Sequence, residues 1–292
     1  MSRAGVWISA MRPKTLAAGA APVIMGTAMA YEADAGHAPS ALAALMGALL
    51  IQIGTNFAND YFDFVKGADT AARIGPVRAT AAGLVRPEAM RRAMILAFAL
   101  VFVPGAYILF RGGWPFLVVG LVSMLCGFLY TGGPWPLAYL GLGDLFVLVF
   151  FGPVAVGGTY YLQAGALPVE VVWAGVAAGL FSTAILTVNN LRDIDGDRAA
   201  GKRTLAVRFG GGFARAEYVM AILSGGVGIP IFLAMRYAHA YAALAALVVL
   251  PAIPCIRTVL TSKDGAALNK VLARTGQLLL LFAALFSIGW SM

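Results

Sequence analysis

Long apolar runs, separated by short charged segments, dominate this sequence of 292 residues. Hydrophobic residues make up 61% of the chain and charged residues only 12%, against roughly 25% charged in a soluble domain. Because about 20 apolar helical residues cross a bilayer core, we expect an all-α integral membrane protein with a single domain over residues 1–292. The breaks between runs predict about nine spans, near residues 15–31, 41–58, 91–110, 114–130, 143–162, 169–190, 217–236, 240–259 and 274–291.

The basic residues test this count. If the N-terminus lies inside and nine spans alternate, every Lys and Arg falls in an inner segment except Arg111 and Arg236. Because cytoplasmic segments carry an excess of Lys and Arg, this pattern predicts a multi-pass protein of the cell (inner) membrane with a cytoplasmic N-terminus. It also accounts for the net charge of +8 without a nucleic-acid partner. No obligate protein partner is indicated.

Aspartates are concentrated in two Asp-rich inner segments, residues 56–92 and 189–215, each of which starts where an apolar run ends. They hold most of the aspartates of the chain: Asp60, Asp63, Asp69, Asp193, Asp195 and Asp197. Helical spacing predicts two shared faces: Asn56, Asn59, Asp60 and Asp63 in the first segment, and Asn190, Asp193 and Asp197 in the second. Asp195 points away from the second face. The two segments resemble a weak internal repeat, four spans apart.

Two facing carboxylate clusters repel each other unless cations lie between them. Mg²⁺ suits such a place because it takes one or two carboxylates and completes its shell with water and phosphate oxygens. Basic residues that could contact phosphate are interleaved with the aspartates: Lys66, Arg73, Arg78, Lys202, Arg203 and Arg208. Charged residues at span ends are more often solvated loops, but two matched clusters on one side favour a metal–diphosphate site. For Asp144, a contribution to the site and an ordinary interfacial position remain equally open.

These segments resemble the two Asp-rich motifs of the UbiA superfamily of intramembrane aromatic prenyltransferases, and the closest resemblance is to the branch that prenylates 1,4-dihydroxy-2-naphthoate in menaquinone biosynthesis. The residues that carry it are Arg12–Leu16, Asn59–Asp63, Lys66–Asp69, Gly75–Arg78, Tyr130–Pro134, Gly141–Asp144 and Asn189–Gly210. The resemblance implies nine transmembrane helices around a central cavity. It also implies Mg²⁺-dependent transfer of a polyprenyl group from all-trans-polyprenyl diphosphate to the naphthoate, with decarboxylation, giving demethylmenaquinone.

The resemblance also assigns roles by matching position. Four residues are implied to be catalytic and, together with Asn59, to bind metal, as two Mg²⁺ ions that bridge the diphosphate: Asp60, Asp63, Asp193 and Asp197. Substrate binding is implied for Asn59, Lys66, Arg78, Asn190, Lys202, Arg203 and Tyr130. The chain departs from the superfamily pattern at Gly201, where a further carboxylate is expected.

Other functions remain open on the sequence. Prenyl transfer to another aromatic acceptor, such as 4-hydroxybenzoate or homogentisate, would use the same metal site, although the Gly201–Lys202 continuation weighs against it. A secondary transporter is the non-enzyme alternative, because such proteins contain repeats with polar helix interruptions. Transporter sites lie near the bilayer midplane, however, whereas these carboxylates are predicted at the inner span ends.

Overall fold

A computed structural model describes residues 2–68, 75, 77–237 and 239–292, and every element in these ranges is helical. The helices are α1 (Arg3–Met11), α2 (Pro13–Glu32), α3 (Ala38–Val65), α4 (Pro87–Gly112), α5 (Trp114–Leu129), α6 (Gly143–Ala164), α7 (Val169–Arg192), α8 (Ile194–Ala199), α9 (Leu205–Arg236), α10 (Ala240–Thr261) and α11 (Gly265–Trp290). The prediction of an all-α protein is confirmed for this part of the chain.

Seven of these helices are long and apolar enough to cross a membrane: α3, α4, α6, α7, α9, α10 and α11. The two other predicted spans correspond to α2, which has 20 residues, and to α5, which has only 16. Neither belongs to the seven, so the count of nine spans is not confirmed by length and composition. Large apolar side chains lie exposed on the bundle, including Phe110 and Met235, as is expected where lipid replaces water.

Local sequence explains where the helices start and stop. Asp264 caps α11, because its carboxylate oxygens accept the backbone N–H groups of Ala266 and Ala267. Thr204 caps α9 by accepting the N–H of Val207. Gly113 separates α4 from α5 with a φ of 78°, a conformation that costs glycine little. These signals place short polar connections between apolar helices.

Small residues allow the central helices to approach closely. A Cβ on Gly179 of α7 would lie 2.3 Å from the carbonyl oxygen of Leu148 in α6. The main apolar core surrounds this contact and includes Phe181 of α7 and Phe282 of α11. A smaller core joins α1, α3 and α4 around Phe57 and Met90.

Candidate active site

A cavity of about 740 Å³ runs between the helices and has a polar end and a long apolar wall. The apolar wall comes mainly from α2, α3, α5 and α6. The polar end is lined by residues from both Asp-rich segments: Asn59, Asp63, Arg78, Asn189, Asn190, Arg192, Asp193, Asp197 and Lys202. Tyr130, at the end of α5, also lines the cavity. The two segments therefore meet at one end of a single cavity, as their spacing predicted.

The Lys202 ammonium links the two segments directly. Its Nζ lies 3.3 Å from Asp63 Oδ1 and 3.7 Å from Asp197 Oδ1. The other oxygen of Asp63 accepts a hydrogen bond from Arg78 Nη2 at 2.9 Å. Asp63 is 1% exposed, so these cations compensate a carboxylate that water barely reaches. The positive charge of Lys202 therefore lies between Asp63 of the first segment and Asp197 of the second.

Asp193 is held by its neighbour Arg192. The guanidinium donates from Nε to Asp193 Oδ1 at 2.7 Å and from Nη2 to Oδ2. Nη2 also donates to Asn189 Oδ1 at 2.8 Å, and Nη1 donates to Asn269 Oδ1 at 2.6 Å. The Arg192 side chain is fully buried. One buried guanidinium therefore connects Asp193 to α7 and to the last helix.

Asp60 has a different environment from the one predicted for a metal ligand. Its Oδ2 accepts the backbone N–H of Ala79 and its Oδ1 that of Thr80, both at 3.0 Å. The residue is 2% exposed and is absent from the cavity wall. Asn56 does line the cavity, and its amide donates to Met11 O and Thr15 Oγ1. The face predicted for the first segment is therefore divided: Asn56, Asn59 and Asp63 line the cavity, whereas Asp60 does not.

The connection between α5 and α6 covers one side of this end. Asn59 Oδ1 accepts a hydrogen bond from Thr131 Oγ1 at 2.9 Å. Lys66 Nζ donates to the carbonyl oxygen of Thr131 at 2.6 Å. Partial burial lowers the pKa of the Lys66 ammonium. This effect is larger than that of the nearby Asp63 carboxylate, which raises the pKa. The Tyr139 ring lies between Lys66 and Lys202, at 5.0 and 5.6 Å from their Nζ atoms. Lys66 therefore lies beside the polar end of the cavity and contacts the α5–α6 connection, but it does not line the cavity.

The remaining predicted residues are more peripheral. Arg203 is exposed and does not line the cavity, although its backbone N–H donates to Tyr139 O. Asp195 is also exposed and pairs with Arg198, but it borders the cavity beside Asp193 and Asp197 rather than lying away from it. Asp144 is 6% exposed at the start of α6 and is not part of the cavity wall. Asp69 and Arg73 lie outside the described residues.

The donor set fits a hard divalent cation. Within the described ranges, no group of three or more His, Cys, Asp or Glu side chains is close enough to hold a metal by itself. Mg²⁺ does not need such a group, since one or two carboxylates suffice when water and phosphate complete its shell. Asp63 and Asp197 both face the Lys202 ammonium, and Asn59 and Asp193 line the same end of the cavity.

Several polar residues of this site had no predicted role, and Arg192 and Asn269 are two of them. Arg192 stands inside the second segment, where it was counted only as an inner-side charge. Asn269 lies in α11, where the sequence offered nothing beyond general hydropathy. The sequence shows only that Asn269 is an amide side chain near the start of a largely apolar helix. That position does not indicate which distant residue the amide contacts. The Arg192–Asn269 contact joins residues 77 positions apart.

Solved structures share this fold. A UbiA homolog from Archaeoglobus fulgidus bound to GPP and Mg²⁺ superimposes with a TM-score of 0.67 at 17% identity, covering 98% of this chain and all of that one. The apo structure of a UbiA homolog from Aeropyrum pernix K1 gives 0.68 at 17% identity, covering 94% of this chain and 96% of that one. At such identities the likeness establishes the arrangement of the helices.

Sequence relatives are more informative about the branch. A 1,4-dihydroxy-2-naphthoate octaprenyltransferase of Escherichia coli (strain K12) is 37% identical, covering 99% of this chain and 96% of its own length. An enzyme of the same name from Mycobacterium tuberculosis is 41% identical over 76% of this chain and 75% of its own. The model of the UbiA prenyltransferase family matches residues 20–290. The resemblance drawn from the two Asp-rich segments is therefore confirmed: this chain belongs to the UbiA prenyltransferase family and is a prenyltransferase.

Proposed function

We propose that this protein transfers a polyprenyl group from all-trans-polyprenyl diphosphate to 1,4-dihydroxy-2-naphthoate in menaquinone biosynthesis. The observation that carries the proposal is the Lys202 ammonium between Asp63 and Asp197, at the polar end of a long apolar cavity. A prenyl diphosphate has the same division into a charged head and an apolar chain. The names of the relatives supply the acceptor.

Metal-bound diphosphate would lie at the polar end. Asn59, Asp63, Asp193 and Asp197 would hold two Mg²⁺ ions, which neutralise charge on the leaving group when bound. Arg78 and Lys202 add fixed positive charge there, which stabilises the departing diphosphate electrostatically. The contacts of Asp60 support a role in holding the backbone at 79–80 rather than in binding the metal.

The transfer step balances without an oxidant or reductant. The C1–O bond of the prenyl diphosphate breaks, and the diphosphate leaves with the electron pair. The electron-rich ring carbon that bears the carboxylate attacks the allylic cation and forms the new C–C bond. Loss of that carboxylate as CO₂ returns its bonding electrons to the ring, which gives demethylmenaquinone in its quinol form. The apolar wall of the cavity keeps water from the cation, while Tyr130 and Asn190 line the cavity where the acceptor would approach.

We further propose that the chain crosses the cell (inner) membrane nine times, with its N-terminus and the site on the cytoplasmic side. The ends of α3 and α7 meet at Lys202, so an even number of crossings must lie between them. Since α4, α6 and α7 are long enough to cross, α5 must cross as well. The hydrogen bond from Asn56 to Met11 O likewise puts the start of α2 beside the end of α3.

Turnover by the purified protein in detergent tests the proposed reaction. The assay offers a long-chain prenyl diphosphate and Mg²⁺, with 1,4-dihydroxy-2-naphthoate and 4-hydroxybenzoate in parallel. We expect prenylation of the naphthoate with release of CO₂, abolished by EDTA. Transfer to 4-hydroxybenzoate alone would support the proposed metal–diphosphate site and contradict the proposed acceptor. Absence of transfer to these acceptors and to homogentisate would favour the transporter alternative.

A further inference from the structure

The last helix contributes a residue to the second Asp-rich segment. Asn269 lies in the second turn of α11, and its Oδ1 accepts a hydrogen bond from Arg192 Nη1 at 2.6 Å. The Asp264 cap fixes the first turn of this helix by accepting two backbone N–H groups. The position of the Asn269 amide is therefore set by how α11 starts and where it packs against α7.

Arg192 transmits that position to Asp193. A guanidinium is planar, and its donors point in fixed directions. With Nη1 on Asn269 and Nη2 on Asn189, the plane of the group is determined, and Nε and Nη2 then face the two oxygens of Asp193. The Arg192 side chain has no exposed surface, so water does not replace a lost partner there, and an unpaired buried donor is costly.

Asp193 depends on this contact because the helical backbone ends at it. Its φ of −98° and ψ of 11° interrupt the path between α7 and α8. Asp193 lines the cavity, and a carboxylate offers about four lone pairs, so the contact with Arg192 is compatible with a cation bound in the cavity. The orientation of the carboxylate follows the plane of the guanidinium.

We propose that Asn269 is a positioning residue, which acts through Arg192 to orient the Asp193 carboxylate toward the bound cation and diphosphate. The docking of α11 thereby sets the geometry of the second Asp-rich segment. This role rests on the proposed function in one respect, namely that Asp193 binds the metal–diphosphate. Residues that orient metal ligands from behind commonly change metal affinity about 10- to 100-fold when removed.

The test compares Asn269→Leu with Asn269→Asp, which keeps an Oδ acceptor, and with the matched control Thr275→Val. Thr275 lies on the same helix, is fully buried and bonds Tyr218 OH at 3.0 Å, but it does not line the cavity. Two measurements are made on the full-length protein in detergent with geranyl diphosphate present. Hydrogen–deuterium exchange is measured over residues 193–204, and Mn²⁺ binding is titrated with electron paramagnetic resonance as the readout.

We expect Asn269→Leu to speed exchange over residues 193–204 and to raise the Kd for Mn²⁺ about tenfold. Asn269→Asp should stay near the wild type in both measurements. Thr275→Val should lower the melting temperature without a local change in exchange at 193–204.

Exchange over residues 193–204 that is the same in Asn269→Leu and the wild type would overturn the proposal, as would an equal increase in Thr275→Val. Failure of the proposed function is a separate outcome. If the wild type bound no Mn²⁺ and transferred no prenyl group, the exchange comparison would still decide whether Asn269 positions this segment.

Discussion

At the scale of single residues, compensated charge organises the site. Each oxygen of Asp63 faces a different cation, Arg78 at 2.9 Å and Lys202 at 3.3 Å. A buried carboxylate is stable only with such partners. In the proposed function, this small group of side chains would supply both a ligand for Mg²⁺ and positive charge for the diphosphate.

Replacement of Asp63 tests this organisation. Asp63→Asn removes the negative charge that faces the cation, while the shape of the side chain stays the same. We expect prenyl transfer to fall by about 100-fold or more, and the melting temperature in detergent to fall as well, because the buried Arg78 guanidinium loses its partner charge. The control Arg111→Gln lies near the opposite end of the bundle and should transfer at the wild-type rate. Normal turnover by Asp63→Asn would contradict the proposed metal site.

At the scale of elements, Asp60 holds the backbone of residues 79–80, a short distance before α4 begins. Both of its oxygens accept backbone N–H groups, those of Ala79 and Thr80. The adjacent residue in the chain, Arg78, then reaches Asp63. One aspartate thus fixes a turn so that a neighbouring arginine faces the cavity.

Asp60→Asn separates this role from metal binding. An amide can accept only one of the two N–H groups, so the other loses its partner at a cost of about 1–3 kcal/mol. We expect faster amide exchange over residues 77–86 and a higher KM for the prenyl diphosphate, because Arg78 is displaced. The Kd for Mn²⁺ should change less than twofold. A loss of Mn²⁺ binding as large as that of Asp63→Asn would instead identify Asp60 as a ligand.

Close packing of α6 against α7 gives a prediction about stability. A Cβ at residue 179 would meet the backbone oxygen of Leu148 at 2.3 Å, so Gly179→Ala must push the two helices apart. Overpacking of this kind costs about 1–3 kcal/mol, and we expect a lower melting temperature. Gly212→Ala is the matched control, since its Cβ would meet nothing within 4 Å. Equal melting temperatures for the two variants would contradict the packing argument.

The helices and the acidic site differ in how far the sequence predicts them. Hydropathy is a local property, so the apolar runs predicted the helical bundle, and the aspartates at run ends predicted where the site forms. The roles of Asp60 and Asn269 depend on partners 19 and 77 residues away. Helical spacing placed Asp60 on the same face as Asp63, but spacing cannot show which side of that face meets a loop and which meets a cavity.

At the scale of the whole molecule, the meeting of the two segments constrains the path through the membrane. Asp63 and Asp197 share Lys202, and the proposed topology therefore requires α4, α5, α6 and α7 each to cross the membrane. The 16 residues of α5 extend about 24 Å at 1.5 Å per residue, less than the ~30 Å hydrocarbon core. Local thinning of the bilayer accommodates a short helix at modest cost.

Single cysteines test this path in a variant lacking Cys126 and Cys255. The positions are exposed residues in four connections: Asp34, Leu84, Ala166 and Lys263. A membrane-impermeant maleimide applied to intact bacterial cells should label cysteines at Asp34 and Ala166, while those at Leu84 and Lys263 should react only after permeabilisation. If α2 and α5 did not cross, Leu84 would move to the outer side while Lys263 stayed inside. Labelling of the Leu84 cysteine in intact cells would therefore contradict the nine-span topology, and with it the cytoplasmic placement of the first Asp-rich segment.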